Sequence, residues 1–438
     1  MVPAGMNPRR EDVTFEPEDF PAKSILILVC GASVVGAATG LLGVAFLVSL
    51  QHGLEFHQWL LAGLGKTQPA LAWLAVFLIG TVAASLAAWM VERFAPTAGG
   101  SGVPYVERIL RGNEEPRHRG VLPVKFFGGI LALSSGLVLG REGPLVQMGA
   151  VIGEKVGRAF PSVPNAWKIL MTAGAGAGLS TAFNAPVGGT IFILEEVQRR
   201  VTPLAFVLAA TATVSATFVQ RAIFHMSQDF QVSEVPVIPA SSIGWFLIFG
   251  LLIGGVGIVY NKLLLGLSTA ANRWRQIPVP LRAGAIGALV ATVGWAQPDA
   301  VSGGDDLTQS ILNGGTTFFL GITVLRFLLG PLSYSAGTPG GLFAPIIALG
   351  ALLGLGFGEF HAAISPEAPV PPVAFAVAGM AALFTATIRA PLTGIVICLE
   401  MTGCLPLFFP MLAGCLGAYL IPTLAKCQPI YDSLASSK

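Results

Sequence analysis

Long apolar segments separated by short polar ones run through the chain and predict helices that cross a membrane. Residues 24–50, 70–91 and 243–267 are apolar nearly throughout, and each reaches the roughly 20 residues that a helix needs to span a bilayer. Hydrophobic residues make up 53% of the 438 and charged residues only 11%, against about 45–50% and about 25% in soluble domains. The pattern therefore predicts an all-α protein that crosses the membrane many times.

The polar residues before the first apolar segment, 1–22, predict a retained N-terminal tail. Their acidic character does not match the basic region with which a cleaved signal peptide begins. The formal net charge is +2, and the 25 basic residues are scattered through short loops, whereas a nucleic-acid-binding protein gathers such residues into a patch or stripe. We therefore expect no nucleic-acid partner.

An internal repeat predicts that the chain consists of two related halves. FNAPVGGTIFILEE at 183–196 aligns without gaps with IRAPLTGIVICLEM at 388–401, and GPLVQMGAVIG at 143–153 aligns with APIIALGALLG at 344–354. Further upstream, the matched pairs are Lys125 with Arg326, Phe126 with Phe327 and Gly129 with Gly330. Paired halves are typical of transporters whose binding site lies near the bilayer midplane, between the repeats. We expect repeats at about 23–224 and 241–425, within one membrane domain at 23–434.

Three glycine-rich motifs predict helices that begin inside the membrane. They are GGSGVP at 99–104, GREGP at 140–144 and GTPGGLFAP at 337–345, and each combines a flexible turn with a Pro at the expected first helical position. The start of a helix carries free N–H groups and the positive end of the helix dipole. Converging starts at membrane depth would therefore bind an anion without a full positive charge. The alternative is that Gly and Pro only kink the helices and allow close packing.

Four motifs in order resemble the signature of the CLC chloride channel and transporter family: GSGVP at 100–104, GREGP at 140–144, GGLFAP at 340–345 and the tyrosine of QPIYDSL at 428–434. The resemblance covers about residues 20–434. It implies a CLC-like fold of two inverted repeats with many tilted and discontinuous helices. It also implies a homodimer in which each subunit has its own anion pathway.

The resemblance implies an anion site built from neutral donors. Ser101 is similar to the family serine whose hydroxyl binds the central anion, and Gly102 follows it in the same loop. Tyr431 is similar to the tyrosine that donates to that anion from the intracellular side, and the backbone N–H groups of Leu342 and Phe343 match a further family contribution. Neutral donors suit conduction because each site must hold the ion weakly enough to release it. The serine implies chloride as the bound substrate, with bromide tolerated.

Glu142 is the candidate gate. Because it is expected beside a helix start, its carboxylate is attracted by the same dipoles that would hold chloride, and it can take an anion's place and block the pathway. Protonation would neutralise the carboxylate and remove that attraction. Ionisable residues within the membrane are functional candidates by default. We expect the neighbouring Arg141 to brace the loop rather than touch the ion, because side chains adjacent in sequence diverge.

Two neighbouring glutamates are given different roles by the repeat. Glu195 is matched by Glu400, so it serves something that both halves need, such as capping or packing. Glu196 is matched by Met401, and its position corresponds to the inner proton-transfer glutamate of the family's exchangers, where channel members usually carry an apolar residue. Its presence favours H+/Cl− exchange over the alternative, a passive voltage- or pH-gated chloride channel.

The remaining expectations follow from the resemblance and from what the sequence lacks. No nucleophile with a well-placed base and no metal-ligand spacing is present, so we expect neither an enzyme nor a cofactor or metal site. Chloride, protons, the lipid bilayer and a second copy of the chain are the expected partners, in a bacterial inner membrane with both termini cytoplasmic. No regulatory CBS domains are expected after Tyr431. Tyr105 departs from many bacterial relatives, which carry an acid there, while Glu107 is retained.

Overall fold

The computed structural model is built from helices and describes residues 20–65, 68–116, 119–224, 230–232, 237–273, 276–367 and 370–436. The expected N-terminal tail lies almost wholly outside these residues. The helices, in chain order, are α1 Ala22–Gly65, α2 Pro69–Phe94, α3 Val103–Leu110, α4 Val121–Ser134, α5 Glu142–Arg158, α6 Ala166–Phe183, α7 Pro186–Phe192, α8 Pro203–Phe224, α9 Ile243–Arg273, α10 Val279–Ala296, α11 Asp305–Leu312, α12 Leu320–Ser335, α13 Phe343–Ile364, α14 Pro372–Ile388, α15 Pro391–Thr402, α16 Phe408–Leu424 and α17 Ile430–Ser436.

The predicted membrane spans are helices in the structure. The three apolar segments at 24–50, 70–91 and 243–267 lie within α1, α2 and α9, and seven helices of the described chain are long and apolar enough to cross a bilayer. Large apolar side chains face outward from them, among them Phe218, 72% exposed, and Leu424, 69% exposed. Such a surface is stable in lipid but not in water. The chain is an integral membrane protein.

The order of elements repeats along the chain, from α1–α8 to α9–α16. In each half, a glycine with a positive φ directly precedes a short helix: Gly102, at φ 88°, precedes α3, and Gly304, at φ 96°, precedes α11. Glycine is the residue that adopts this left-handed backbone without steric cost. The fold therefore contains the two repeats that the sequence predicted, while their residue bounds stay a prediction.

Lys125 and Arg326, which the repeat matches, bind equivalent loops in the two halves. The Lys125 ammonium donates to the Gly100 carbonyl at 2.6 Å. The buried Arg326 guanidinium donates to three backbone carbonyls at 2.7–3.1 Å, those of Asp299, Val301 and Ser302. Both cations thus fasten the loop that leads into a short helix, α3 or α11. Burial of a cation in an apolar interior is tolerated when such hydrogen bonds satisfy its donors.

Glu195 and Glu400 cap helices in the structure, which is one of the two roles, capping or packing, that the repeat left open for them. The Glu195 carboxylate accepts from the backbone N–H groups of Leu392 and Thr393, at 3.0 and 2.7 Å, at the start of α15. The Glu400 carboxylate, near the end of α15, accepts from Val187 and Gly188 at the start of α7, at 3.1 and 2.7 Å. Each helix therefore ends beside the start of the other. The two matched helices run antiparallel, as inverted repeats require.

Close glycine contacts fix how the helices of each repeat pack. A Cβ on Gly149 of α5 would overlap the carbonyl of Gly174 on α6, and a Cβ on Gly350 of α13 would overlap the carbonyl of Gly379 on α14. In both pairs the backbones approach too closely for any other residue. Small residues commonly permit such approach between membrane helices. Much of the glycine excess thus serves packing, as the alternative interpretation of the glycine-rich sequence proposed.

The predicted position of proline at the helix starts was wrong in detail. Pro104 is the second residue of α3, whereas Pro144 and Pro345 are the third residues of α5 and α13. The first four N–H groups of a helix have no partner within it, so proline removes no helical hydrogen bond anywhere in the first turn. As a result Glu142 is the first residue of α5 rather than a residue ahead of it.

Candidate functional site

Three helix starts meet at one place in the fold. Gly140 and Gly341 exchange backbone hydrogen bonds at 2.9 and 2.7 Å, which joins the loop before α5 to the loop before α13. Gly100, in the loop before α3, accepts from Gly340 at 3.2 Å and donates to Thr338 at 3.0 Å. These short backbone bridges bring the starts of α3, α5 and α13 together. The convergence that the three glycine motifs predicted is present.

The Glu142 carboxylate lies between the starts of α5 and α13. Its Oε1 accepts the backbone N–H of Phe343 at 2.6 Å, and the residue is only 1% exposed. Oε2 is buried and has no hydrogen-bond partner among the described residues. Glycines line the carboxylate, because a Cβ on Gly140 or Gly341 would overlap it. The carboxylate thus accepts a hydrogen bond from a free amide at a helix start, which is a favourable place for an anion to bind.

The predicted anion-binding residues lie around this carboxylate. Phe343 connects them, because its N–H binds Glu142 while its ring lies 5.8 Å from the Tyr431 ring. The Tyr431 hydroxyl lies 3.5 Å from Ser101 Oγ, and both residues are buried. Gly102 and Leu342 directly precede α3 and α13. Two hydroxyls and the N-terminal ends of two helices therefore lie close together in one small region beside Glu142.

Arg141 holds the loop ahead of α5. Its Nε donates to the Ala182 carbonyl at 2.9 Å, and its Nη1 lies 3.7 Å from Asp305 Oδ2. The first contact fastens the loop to the end of α6 and the second links it to the start of α11. Both contacts hold the loop in place, while the expectation that Arg141 does not touch the ion stays a prediction.

Glu196 belongs to a second cluster. It lies in a π-helical turn, Ile193–Val197, that continues α7, and it is 3% exposed. Its Oε1 lies 3.5 Å from Arg199 Nη2. No hydrogen bond or ion pair among the described residues joins Glu196 to Glu142, so a proton moving between them needs an intermediate carrier. Glu195, its neighbour, instead binds the start of α15, so the two adjacent glutamates have different surroundings.

An ion-pair network that the sequence did not predict lies beside Glu196. Asp432 binds two arginines, Arg111 at 2.8 Å and Arg199 at 2.9 Å, and Arg111 also lies 3.1 Å from the buried Glu107. Burial alone would raise the pKa of Asp432, but the two guanidinium groups lower it below its ordinary value. Arg111 stands four residues after Glu107, which is a recognisable helical ion-pair spacing. Its contact with Asp432 crosses more than 300 positions of chain, and no local pattern indicates it.

Tyr105 lies on a cavity behind the Ser101 loop. The cavity has a volume of about 240 Å³, and its walls include Tyr105, Arg108 and Tyr334. The Tyr334 hydroxyl accepts the Ser101 N–H at 3.5 Å. Tyr105 thus lines a space next to the predicted anion loop.

A family model described as "Voltage gated chloride channel" matches residues 83–423, which include the candidate site residues except Tyr431 and Asp432. The chain belongs to this family. The motifs that resemble the CLC signature lie on helix starts in the CLC-like arrangement that they implied, with many short and discontinuous helices.

Bacterial relatives match nearly the whole chain. The chain is 38% identical to the H(+)/Cl(-) exchange transporter ClcA of Citrobacter koseri over 424 residues, covering 94% of this chain and 89% of that protein. It is 37% identical to the protein of the same name from Yersinia pseudotuberculosis over 425 residues, covering 94% and 88%.

Solved structures of the family share the fold. A structure described as that of a slow cyanobacterial Cl−/H+ antiporter has a TM-score of 0.89 at 32% identity, covering 94% of this chain and 97% of that one. A CLC-type fluoride/proton antiporter has a TM-score of 0.78 at 21% identity, covering 94% and 99%. The second likeness is one of fold alone.

Proposed function

We propose that the chain is an H+/Cl− exchange transporter gated by Glu142. The observation that carries the proposal is the 2.6 Å hydrogen bond from the Phe343 N–H to the Glu142 carboxylate. Phe343 is one of the residues expected to bind chloride, so carboxylate and chloride compete for the same donor. When Glu142 takes up a proton it loses its charge and its attraction to the helix starts, and chloride replaces it.

The anion site is formed by hydroxyl and amide donors. Ser101 and Tyr431 supply hydroxyls, while Gly102, Leu342 and Phe343 supply the starts of α3 and α13. Among these the helix starts contribute partial positive charge that reaches only across the first turn. Such a site favours chloride over water yet releases it readily, because no fixed cation holds the ion.

Glu196 is the proposed inner proton-transfer residue. Its burial, its contact with Arg199 and its place beside the solvent-accessible Asp432 suit a group that exchanges protons with the interior. A proton taken up by Glu142 from outside passes through water to Glu196 and then inward, while chloride moves outward. The cycle is equally allowed in reverse. Two bacterial relatives and one solved structure are named as exchangers of the same ions.

The assembly and location are also proposals. We propose a homodimer in a bacterial inner membrane with both termini in the cytoplasm, with chloride and protons as substrates and no cofactor. The curated relatives are bacterial.

The deciding experiment measures chloride and proton flux in liposomes that contain the purified protein. The wild type should pump protons when driven by a chloride gradient, and its reversal potential should shift with a pH gradient. Glu142→Gln should lose proton pumping and conduct chloride without coupling. A matched control is Glu92→Gln, since Glu92 is an exposed glutamate of α2.

A second variant separates the proton pathway from the chloride pathway. Glu196→Gln should abolish proton movement and leave chloride flux in place, because the chloride donors lie elsewhere. If Glu142→Gln still pumped protons, the gating proposal would be wrong. A wild-type reversal potential that ignores the pH gradient would identify a passive channel instead.

A further inference from the structure

We propose that Asp432 is a positioning residue that couples the chloride site to the inner proton site. This proposal rests on the proposed exchange function. Asp432 follows Tyr431 directly in α17, and its two carboxylate oxygens bind two different arginines. Arg111 follows the last residue of α3, and Arg199 follows the π-helical turn Ile193–Val197. One side chain therefore joins both parts of the first repeat to the helix that carries Tyr431.

The geometry divides α17 into two faces. Tyr431 is fully buried and lies 3.5 Å from Ser101 Oγ. Residues adjacent on a helix point about 100° apart, and the Asp432 side chain, 21% exposed, turns instead toward Arg111 and Arg199. Any movement of α17 that releases Asp432 therefore also moves Tyr431 relative to Ser101.

Each arginine connects Asp432 to a buried carboxylate. Arg111 Nη2 lies 2.8 Å from Asp432 Oδ1 and 3.1 Å from Glu107 Oε2. Arg199 Nη1 lies 2.9 Å from Asp432 Oδ2, and its Nη2 lies 3.5 Å from Glu196 Oε1. The contact to Asp432 is the shorter one in both cases. Asp432 thus draws both guanidinium groups away from the glutamates.

Asp432 competes with Glu107 and Glu196 for the two guanidinium groups, so its charge affects the ionisation of both glutamates. With every group ionised, three carboxylates share two guanidinium groups. When Asp432 loses its charge, Arg199 is free to pair more closely with Glu196 and to hold that glutamate in its ionised form. Proton transfer through Glu196 then slows, while the released α17 lets chloride pass Tyr431 more easily. Both effects change the ratio of chloride to proton flux in the same direction.

The test compares Asp432→Asn with wild type in two assays, chloride binding by calorimetry and paired chloride and proton flux in liposomes. We expect chloride binding about fivefold weaker, at the low end of usual coupling between sites because the ion pairs are partly exposed. The number of chloride ions moved per proton should rise. Asp432→Glu keeps the charge and should restore both quantities most of the way.

Two further variants keep the test decisive. Arg111→Gln removes one of the two ion pairs of Asp432, together with the pair between Arg111 and Glu107, and leaves the contact between Arg199 and Glu196 in place. Because it loosens α17, it should weaken chloride binding and raise the number of chloride ions moved per proton even if the Asp432→Asn protein does not fold. Glu114→Gln breaks a 2.8 Å ion pair with Arg108 of α3 that does not include Asp432, and it should behave as wild type.

Two results would overturn the proposal. In the first, Asp432→Asn and Arg111→Gln keep the wild-type chloride affinity and flux ratio. In the second, both fluxes fall in proportion, which is the result of a purely structural role. A wild-type protein that moves no protons would refute the proposed exchange function instead, and the chloride affinity would still decide whether Asp432 positions Tyr431.

Discussion

Replacing Glu195 by alanine tests whether the reciprocal caps hold the two repeats together. The change removes a carboxylate that binds the N–H groups of Leu392 and Thr393 at 3.0 and 2.7 Å, and also the Thr393 hydroxyl at 2.7 Å. A hydrogen bond to a charged group contributes about 1.5–3 kcal/mol. Because the site is partly exposed, water replaces some of this contribution, and the hydroxyl can rotate to another acceptor. The two amides at the lower value give about 3 kcal/mol.

The expected shift in the melting temperature follows from the size of the chain. Unfolding entropy is about 2.1 cal/mol/K per residue, or about 0.9 kcal/mol/K for 438 residues, so about 3 kcal/mol lowers the apparent Tm by about 3 °C. The assay is thermal unfolding of the detergent-purified protein, followed by loss of the folded peak in size-exclusion chromatography. Glu195→Gln keeps one acceptor oxygen and should lose about half as much.

The repeat supplies the internal comparison. Glu400→Ala removes a carboxylate that binds two amides at similar distances, and it should lower the Tm by a similar amount. Glu92→Ala removes an exposed glutamate and should leave the Tm unchanged. A Tm for Glu195→Ala within 1 °C of wild type would contradict the assigned magnitude, and unequal shifts for Glu195→Ala and Glu400→Ala would contradict the equivalence of the two caps.

Three other substitutions have defined outcomes. The ammonium of a lysine in Arg326→Lys cannot reach all three carbonyls that the guanidinium binds. The loss of one or two hydrogen bonds, about 1.5–3 kcal/mol each, should lower the apparent Tm by about 3 °C in the same unfolding assay. An unchanged Tm would show that these hydrogen bonds do not stabilise the fold. Gly350→Ala places a Cβ against a carbonyl of α14, whereas Gly255→Ala places one in open space, so only the first should lose the folded peak in chromatography. Gly341→Ala places a Cβ where the Glu142 carboxylate lies, so it should raise chloride flux and lower proton flux in liposomes. A Gly341→Ala protein that still exchanged chloride for protons as the wild type does would contradict the proposal that Glu142 is the gate.

The helical, multi-span character of the chain could be predicted because it depends on local composition. A segment of some 20 apolar residues must satisfy its backbone within itself in lipid, and only a helix does so in a single segment. The repeat could be detected because matched residues make equivalent contacts in the two halves. Glu195 and Glu400, for example, each bind the helix start of the other half. The donor groups of the candidate site could be predicted for a related reason. Glycine turns followed by a proline indicate a helix start from the local sequence, whichever elements the fold then brings together.

Other features were decided only by tertiary structure. The position of proline was wrong by one or two residues, because the first turn tolerates proline at several positions and sequence does not distinguish them. The pairing of the Glu142 carboxylate with the Phe343 N–H joins residues 201 positions apart. The bridge from Asp432 to Arg111 joins residues 321 positions apart.

The difference is physical. Membrane insertion and helix starts depend on residues that are neighbours in sequence, so the sequence by itself determined the spans, the two halves and the three helix starts. Which amide meets which carboxylate depends on how the two halves pack, and that packing is set by contacts between glycines of separate helices, such as Gly350 and Gly379, where backbones touch. A larger residue at such a contact would push the two helices apart and shift the hydrogen-bond donors that they carry. The tertiary structure therefore decided which charge faces which helix start.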